Sequence, residues 1–591
     1  MFNIYYKKNK NKNLFSNLEK HSITKLQNYI PLYQNFFSLN KNNYNNINLN
    51  HKYHISNIKS NVEKNKYNII VKDISDNKFK KKSFFKFSPL LDPIKYMVGK
   101  YKDISINELP LFNESKCHKK LLDNNNTAYV DSFFSYLSSQ LLNNHHFLNG
   151  IDFYGSFIGI QREFNANIFE DIDYIYPSDF FHNNKNVLFS LENFDIDLLE
   201  DDTRKYRKRL RLQSHDNIEI SLECDKLDET LLNKPFSLTE ENINKHNAFL
   251  NSNLIYENLE IKFNESSKNS TDSNCSSRSS DTNTSNDEDN ENEDDENEDD
   301  ENEDDENEDN KKDDNSIVSC SNSDMSEYSS DMSDKEVLAN VKNFPVQIIC
   351  MESLHNTLDS FLEGDSKPLN VKEWISCLAQ IIFTLITYQK SFAFTHNDLH
   401  TNNIMYELTD KKFLYYKYNN KYYKVPTYGR IYKIIDFGRA IYSFKGKLMC
   451  SDSFKQSGDA ATQYNFKPYF NPNKPQLNPN PSFDLCRLSC SLFDYFITDL
   501  DELEDVIKKN PIAKIIVKWC LDDKNRNILY KTNGEERYPD FKLYKMIART
   551  VNNHIPKNEI NNDFFKSLIT SRKKINKKTK IINIDSINVY I

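Results

Sequence analysis

The chain of 591 residues is long enough for several domains, yet only 38% of it is hydrophobic, so a good part lies outside any packed core. Its net charge of -9 is local: eighteen carboxylates fall between Asp287 and Asn310, and the remainder is mildly basic. Ten cysteines without a C-x-x-C pair, an N-terminus without an apolar leader and no window reading as a membrane span exclude a disulfide scaffold and lead us to expect a soluble intracellular protein.

Residues 1–64 are rich in Asn, Lys and Tyr without periodicity and read as a partly ordered extension. Tyr67–Ile74 and Ser83–Phe87 then read as two strands. Between Ala128 and Leu142, apolar Tyr129, Phe133, Phe134, Leu137 and Leu141 recur at helical spacing, with Asn126 or Thr127 as the N-cap. Phe153–Ile160 is a further strand, and together these make an α+β unit. Residues 161–261 carry short apolar runs suited to a folded insertion. By contrast, 262–335, with its repeated Glu-Asn-Glu-Asp-Asp, lacks the apolar surface to offset ordering entropy and is expected to be disordered.

Order is expected to return at the buried strand Phe344–Glu352, followed by helices over Thr357–Leu362 and Val371–Gln389. Further helices are predicted over Phe483–Leu500 and Glu504–Cys520. Cys486 and Cys490, four apart in an apolar run, read as buried thiols. The lysines near the C-terminus lack interleaved aromatics, so no specific nucleic-acid binding is expected.

Two short motifs carry the chemistry. In His396-Asn397-Asp398-Leu399-His400-Thr401-Asn402-Asn403, Asp398 and Asn403 are five apart, so one turn can aim both into a cleft. Asp398 suits the orientation of an attacking hydroxyl, and the Asn403 carbonyl suits Mg²⁺, a hard ion that takes oxygen ligands. At the end of the strand Arg430–Ile435, Asp436-Phe437-Gly438 offers a second metal-binding carboxylate and a sharp turn. Reading His396 and His400 as a zinc pair fails for want of a third ligand.

This ordered pair resembles the catalytic loop H-R-D-L-x-x-x-x-N and the D-F-G motif of eukaryotic-type protein kinases, in a style similar to divergent Ser/Thr kinases of giant DNA viruses. The resemblance implies an α+β, two-lobed protein-kinase-like fold, with a small β-rich N-lobe carrying a long, partly disordered insertion and a larger α-helical C-lobe. The N-lobe would span 65–160 and 336–354, the C-lobe 355–555, and a basic tail 556–591.

It further implies ATP and Mg²⁺ as cofactors, with Asp398 as the catalytic carboxylate and Asn403 and Asp436 as metal ligands. Lys86 would be the strand lysine that holds phosphates, and backbone groups of Glu352 and Leu354 would hold adenine at the hinge. Asp484 looks like the helix-borne aspartate that supports the loop. The helix over Ala128–Leu142 contains no glutamate, so Asp131 is the acid able to pair with Lys86, with Glu108 and Glu114 lying earlier in less helical sequence.

Three departures mark the chain. No glycine precedes Gly99, so the glycine-rich phosphate loop is absent; no A-P-E follows Gly438; and Asn397 replaces the arginine that binds a phosphorylated activation segment. The function implied is transfer of the ATP γ-phosphate to serine or threonine of a protein. The alternatives are a catalytically inactive pseudokinase scaffold and a small-molecule kinase of the choline or aminoglycoside type, whose loop includes an asparagine at position 397. An acid-directed kinase is an expected partner at Ser323–Ser333, where serines alternate with acids.

Overall fold

Alternation of apolar and polar residues in the N-terminal third builds one antiparallel sheet. In the computed structural model, which describes residues 2–102, 105–113, 116–192, 337–364 and 367–591, this sheet has seven strands. Its spatial order is Ile23–Gln27, Phe153–Asn167, Leu338–Glu352, Lys78–Pro89, Lys66–Lys72, His54–Glu63, and Phe189–Glu192 pairs with the outer end of Leu338–Glu352. The central pairing sets Lys86 opposite Ile349 and Phe157 opposite Ile348, which fixes the register of the whole sheet.

The sheet begins well before residue 65. Residues read as an extension supply two of its strands, Ile23–Gln27 and His54–Glu63, because Ile23, Ile55 and Ile58 bury their side chains against it. Leu14 and Leu18 of the Lys12–Lys20 helix are also buried. Asparagines hid this order from periodicity, since Asn11, Asn28 and Asn48 hydrogen-bond one another in the interior. The stretch read as a folded insertion is described only to Glu192; beyond it, the acidic tract and Ser323–Ser333 lie outside the described residues.

The Thr127–His145 helix crosses the sheet, capped by the Asn126 side chain, which accepts from Ala128 N at 3.1 Å. The C-terminal region is larger and mostly helical, so the two-lobed kinase-like fold is what the chain adopts. Its central helix, Val371–Phe392, starts with a capping box between Asn370 and Glu373. By length and composition this helix is apolar enough to cross a membrane, contrary to the sequence reading, but 78% of its most apolar window is buried inside the fold. Cys486 and Cys490 are buried, unbridged thiols on Phe483–Phe496. The helix expected over Glu504–Cys520 is two, Leu503–Lys509 and Pro511–Trp519. Pro511 cannot continue the first, and Asn510 caps the second by accepting from Ile512 N and Ala513 N.

The basic tail is also built in. Ile569–Thr570 and Ile582–Asn583 flank a hairpin, Phe413–Tyr418 with Lys421–Pro426, to make a four-stranded sheet. Further on, Tyr590 stacks on Phe392 at 5.6 Å and meets Phe2 at 4.3 Å, so both ends of the described chain pack beside the Thr127–His145 helix.

Candidate active site

The site is assembled by backbone pairing before any side chain is considered. Strand Ile404–Leu408 pairs with Arg430–Ile434, and Ile435 N donates to Asn403 O at 3.0 Å, so the loop and the Asp436 motif run side by side. His396 Nε2 contacts Ile435 O at 2.9 Å and ties them again. Below, Asp484 of the Phe483–Phe496 helix accepts from His396 N (2.9 Å) and Asn397 N (2.9 Å). Burial pushes its carboxyl up, and these two amides stabilise the charged form against that push.

Lys86 stands at a junction of charges. Its Nζ lies 2.7 Å from Asp131 Oδ2 and 2.7 Å from Asp436 Oδ1, joining the central sheet, the Thr127–His145 helix and the second motif. Asp131 Oδ1 accepts from Phe437 N at 3.0 Å, so this carboxylate orients both the lysine and the motif. Its shorter reach is met by close approach of the helix: Thr127 would touch a Cβ added at Gly438 at 3.1 Å. Glu108 pairs instead with Lys25 at 3.6 Å, and Glu114 lies outside the described residues.

Electrostatics separates the two acids. Burial raises the Asp131 carboxyl despite Lys86, whereas Asp436 is brought down to about 2 because Lys86 outweighs its desolvation. Lys86 itself is raised, with both carboxylates overcoming burial. Asp436 has φ +61°, a left-handed backbone that turns its carboxylate toward Lys86 while Phe437 enters the core. There Phe437 packs on Phe134 at 4.6 Å and His396 at 5.9 Å.

Asp398 is held by other groups. Tyr544 OH donates to its Oδ1 at 2.8 Å, and Arg439 lies 3.9 Å from its Oδ2. Burial opposes its charge, but Arg439 foremost holds the carboxyl below its ordinary value. The Asn403 amide nitrogen bonds Asp398 O (2.8 Å) and His400 Nε2 (3.1 Å), so its carbonyl is the atom suited to a cation. Burial lowers His400 to about 4, making it a neutral partner at pH 7. Asn397 is fully buried, donating to Arg439 O at 3.0 Å and accepting from Tyr464 OH at 2.8 Å.

At the end of the Leu338–Glu352 strand, where a hinge was expected, Glu352 N donates to Asp152 O at 2.9 Å, which engages one of the two backbone groups of that residue. Its side chain turns inward to Lys433 Nζ at 2.6 Å, an ion pair that joins the end of the sheet to the strand before Asp436. Leu354 is buried beyond it. In place of a glycine-rich loop, the His54–Glu63 and Lys66–Lys72 strands meet in a two-residue turn, Lys64-Asn65, with Asn65 at φ +60°. Asn65 O accepts from Phe85 N at 2.8 Å, so the turn stops beside Lys86. Two cavities, one of about 550 Å³ bordered by Asn125 and Phe470 and one of about 380 Å³ bordered by Phe361 and Arg430, lie away from Lys86, Asp398 and Asp436.

Sequence reasoning missed Tyr544, Arg439, Lys433 and Asp452. The first two sit beside Asp398, and Asp452 accepts from Thr127 N at 3.0 Å and pairs with Lys120 at 2.6 Å. Of these, only Arg439 had a usable signal, its place directly after Gly438.

No family model matches the chain. Among curated proteins it is similar to Uncharacterized protein 098R of Invertebrate iridescent virus 6, 26% identical over 205 residues, or 34% of this chain. The chain spans 29% of that relative's length.

Proposed function

We propose that this chain transfers the γ-phosphate of ATP, with Mg²⁺, to serine or threonine hydroxyls of a protein. The observation that carries the reading is the Lys86–Asp131–Asp436 junction, which gathers a cation and two carboxylates from three separate elements beside Asn403. Asp131, its side chain only 3% exposed, is costly to bury as a charge unless a partner such as Lys86 faces it.

The donors fit a magnesium nucleotide. The Asp436 side chain is 45% exposed, and the Asn403 amide presents an oxygen, so both are hard ligands at adjoining backbone positions. Bound Mg²⁺ would supply neutralisation of phosphate charge. Lys86 then exchanges its contact with Asp436 for phosphate oxygens while keeping Asp131. Glu352, through its carbonyl, and Leu354 hold the adenine edge. Asp398 accepts the hydrogen bond of the attacking hydroxyl and holds it in line.

A second reading, a pseudokinase scaffold, draws on the short Lys64-Asn65 turn and on the direct Lys86–Asp436 contact. The resemblance to an iridovirus protein supports a viral origin for either role. Transfer of labelled γ-phosphate to a peptide panel and to small alcohols separates them. Peptide labelling that falls at least a hundredfold in Asp436→Asn supports the kinase; labelling of alcohols alone favours a small-molecule kinase. Equal inactivity of both proteins, with partner binding retained, favours the scaffold.

A further inference from the structure

We propose that Tyr544 is a positioning residue for Asp398, fixing which carboxylate oxygen receives the acceptor hydroxyl; this rests on the phosphotransfer reading above. Tyr544 lies on the Phe541–Thr550 helix and is fully buried, stacked on Phe541 at 5.4 Å and near Phe483 at 6.0 Å. Its hydroxyl makes two hydrogen bonds of opposite sense. Arg487 Nε donates to it at 3.0 Å, and it lies 2.8 Å from Asp398 Oδ1.

Donor counting settles the direction. An arginine can only donate, so the Tyr544 oxygen accepts from Arg487, and its single proton goes to the carboxylate. One acceptor site of Asp398 Oδ1 is thereby occupied, and Oδ2, with Arg439 3.9 Å away, keeps the larger share of open sites for the acceptor hydroxyl. The guanidinium groups of Arg439 and Arg487 lie 5.5 and 5.2 Å from the Tyr544 ring centre, which favours a fixed ring.

The loop's own side chains point to different partners. His400 bonds Asn403, and Asn397 bonds Arg439 O, Thr395 and Tyr464. Asp484 fixes the loop backbone but not the Asp398 side chain. The direct hydrogen bond to the carboxylate therefore comes from a helix 146 positions along the chain, beside the longer contact of Arg439. In this arrangement the Tyr544 proton holds the Asp398 carboxylate in one orientation toward the hydroxyl.

The test is Tyr544→Phe in the full chain, which keeps the ring and removes the proton. We expect kcat toward peptide to fall about tenfold while KM for ATP stays unchanged. Crystal structures of wild type and variant should show the Asp398 carboxylate turned from its wild-type orientation in the variant, whether or not the protein transfers phosphate. An Asp398 carboxylate that keeps its orientation overturns the proposal. So does a variant matching the wild type in kcat. Absence of transfer by the wild type, with the carboxylate turned, sinks the kinase reading and leaves the Tyr544 contact standing. Should Tyr544→Phe not fold, Arg487→Gln, which frees the hydroxyl to rotate, must turn the same carboxylate; no change there counts equally against it.

Discussion

Asp131 is short for its task, and the structure accommodates this by seating it between two donors, Lys86 Nζ and Phe437 N. The two contacts can be separated by substitution. Asp131→Asn keeps an oxygen for Phe437 N and loses the charge facing Lys86, whereas Asp131→Ala loses both. We predict that both variants cut phosphate transfer, and that in chemical denaturation the alanine variant is the less stable by about 1–2 kcal/mol. Equal stability of the two would show that the Phe437 bond contributes nothing. Lys86→Met leaves both carboxylates without their cation; with 27% of the lysine side chain exposed, we expect a loss of about 2 kcal/mol, below the range for fully buried pairs.

At the scale of elements, the Thr127–His145 helix is stitched to Phe437 and to Asp452 from two of its residues one helical turn apart. Asp131 accepts from Phe437 N, and Asp452 accepts from Thr127 N and Thr127 Oγ1 while pairing with Lys120. A carboxylate at a helix N-terminus satisfies free amides and complements the dipole, an effect of about 1–2 kcal/mol. Asp452→Ala should lower stability by about that amount and reduce kcat, since the helix it anchors carries Asp131. Treatment of the wild type with phosphatase should leave kcat unchanged, because the anion is built in; lost activity would contradict this. The chemical motifs were legible in sequence because Asp398, Asn403 and Asp436 are close in the chain and their spacing is rigid. Asp452 and Tyr544 were not, because their partners lie hundreds or scores of residues away and neither stands in a motif. The early strands were hidden for another reason: their polar residues are buried in asparagine networks, and the inward-facing apolar positions between them are few.

Over the whole molecule, buried neutral histidines make stability depend on acid. Burial lowers His54 and His400 to about 4 and lowers His51 well below its ordinary value. Unfolded, each takes a proton near pH 6.5, so between 6.5 and 4 the unfolded state binds more protons and stability falls as pH falls. The Lys86–Asp436 pair acts later. With Asp436 at about 2, its contribution is present above the unfolded carboxylate value and is lost only as pH drops toward 2. Replacing His54 by Asn, away from the site, should flatten the slope between 6.5 and 4 by about 1.4 kcal/mol per pH unit; an unchanged slope would contradict the assignment. We propose that Lys86, Asp398, Asn403 and Asp436 transfer phosphate. The most direct test is γ-phosphate transfer from ATP to peptide by wild type and Asp436→Asn side by side. The account predicts Mg²⁺-dependent labelling by the wild type, reduced at least a hundredfold in the variant; no labelling by either, or equal labelling by both, would contradict it.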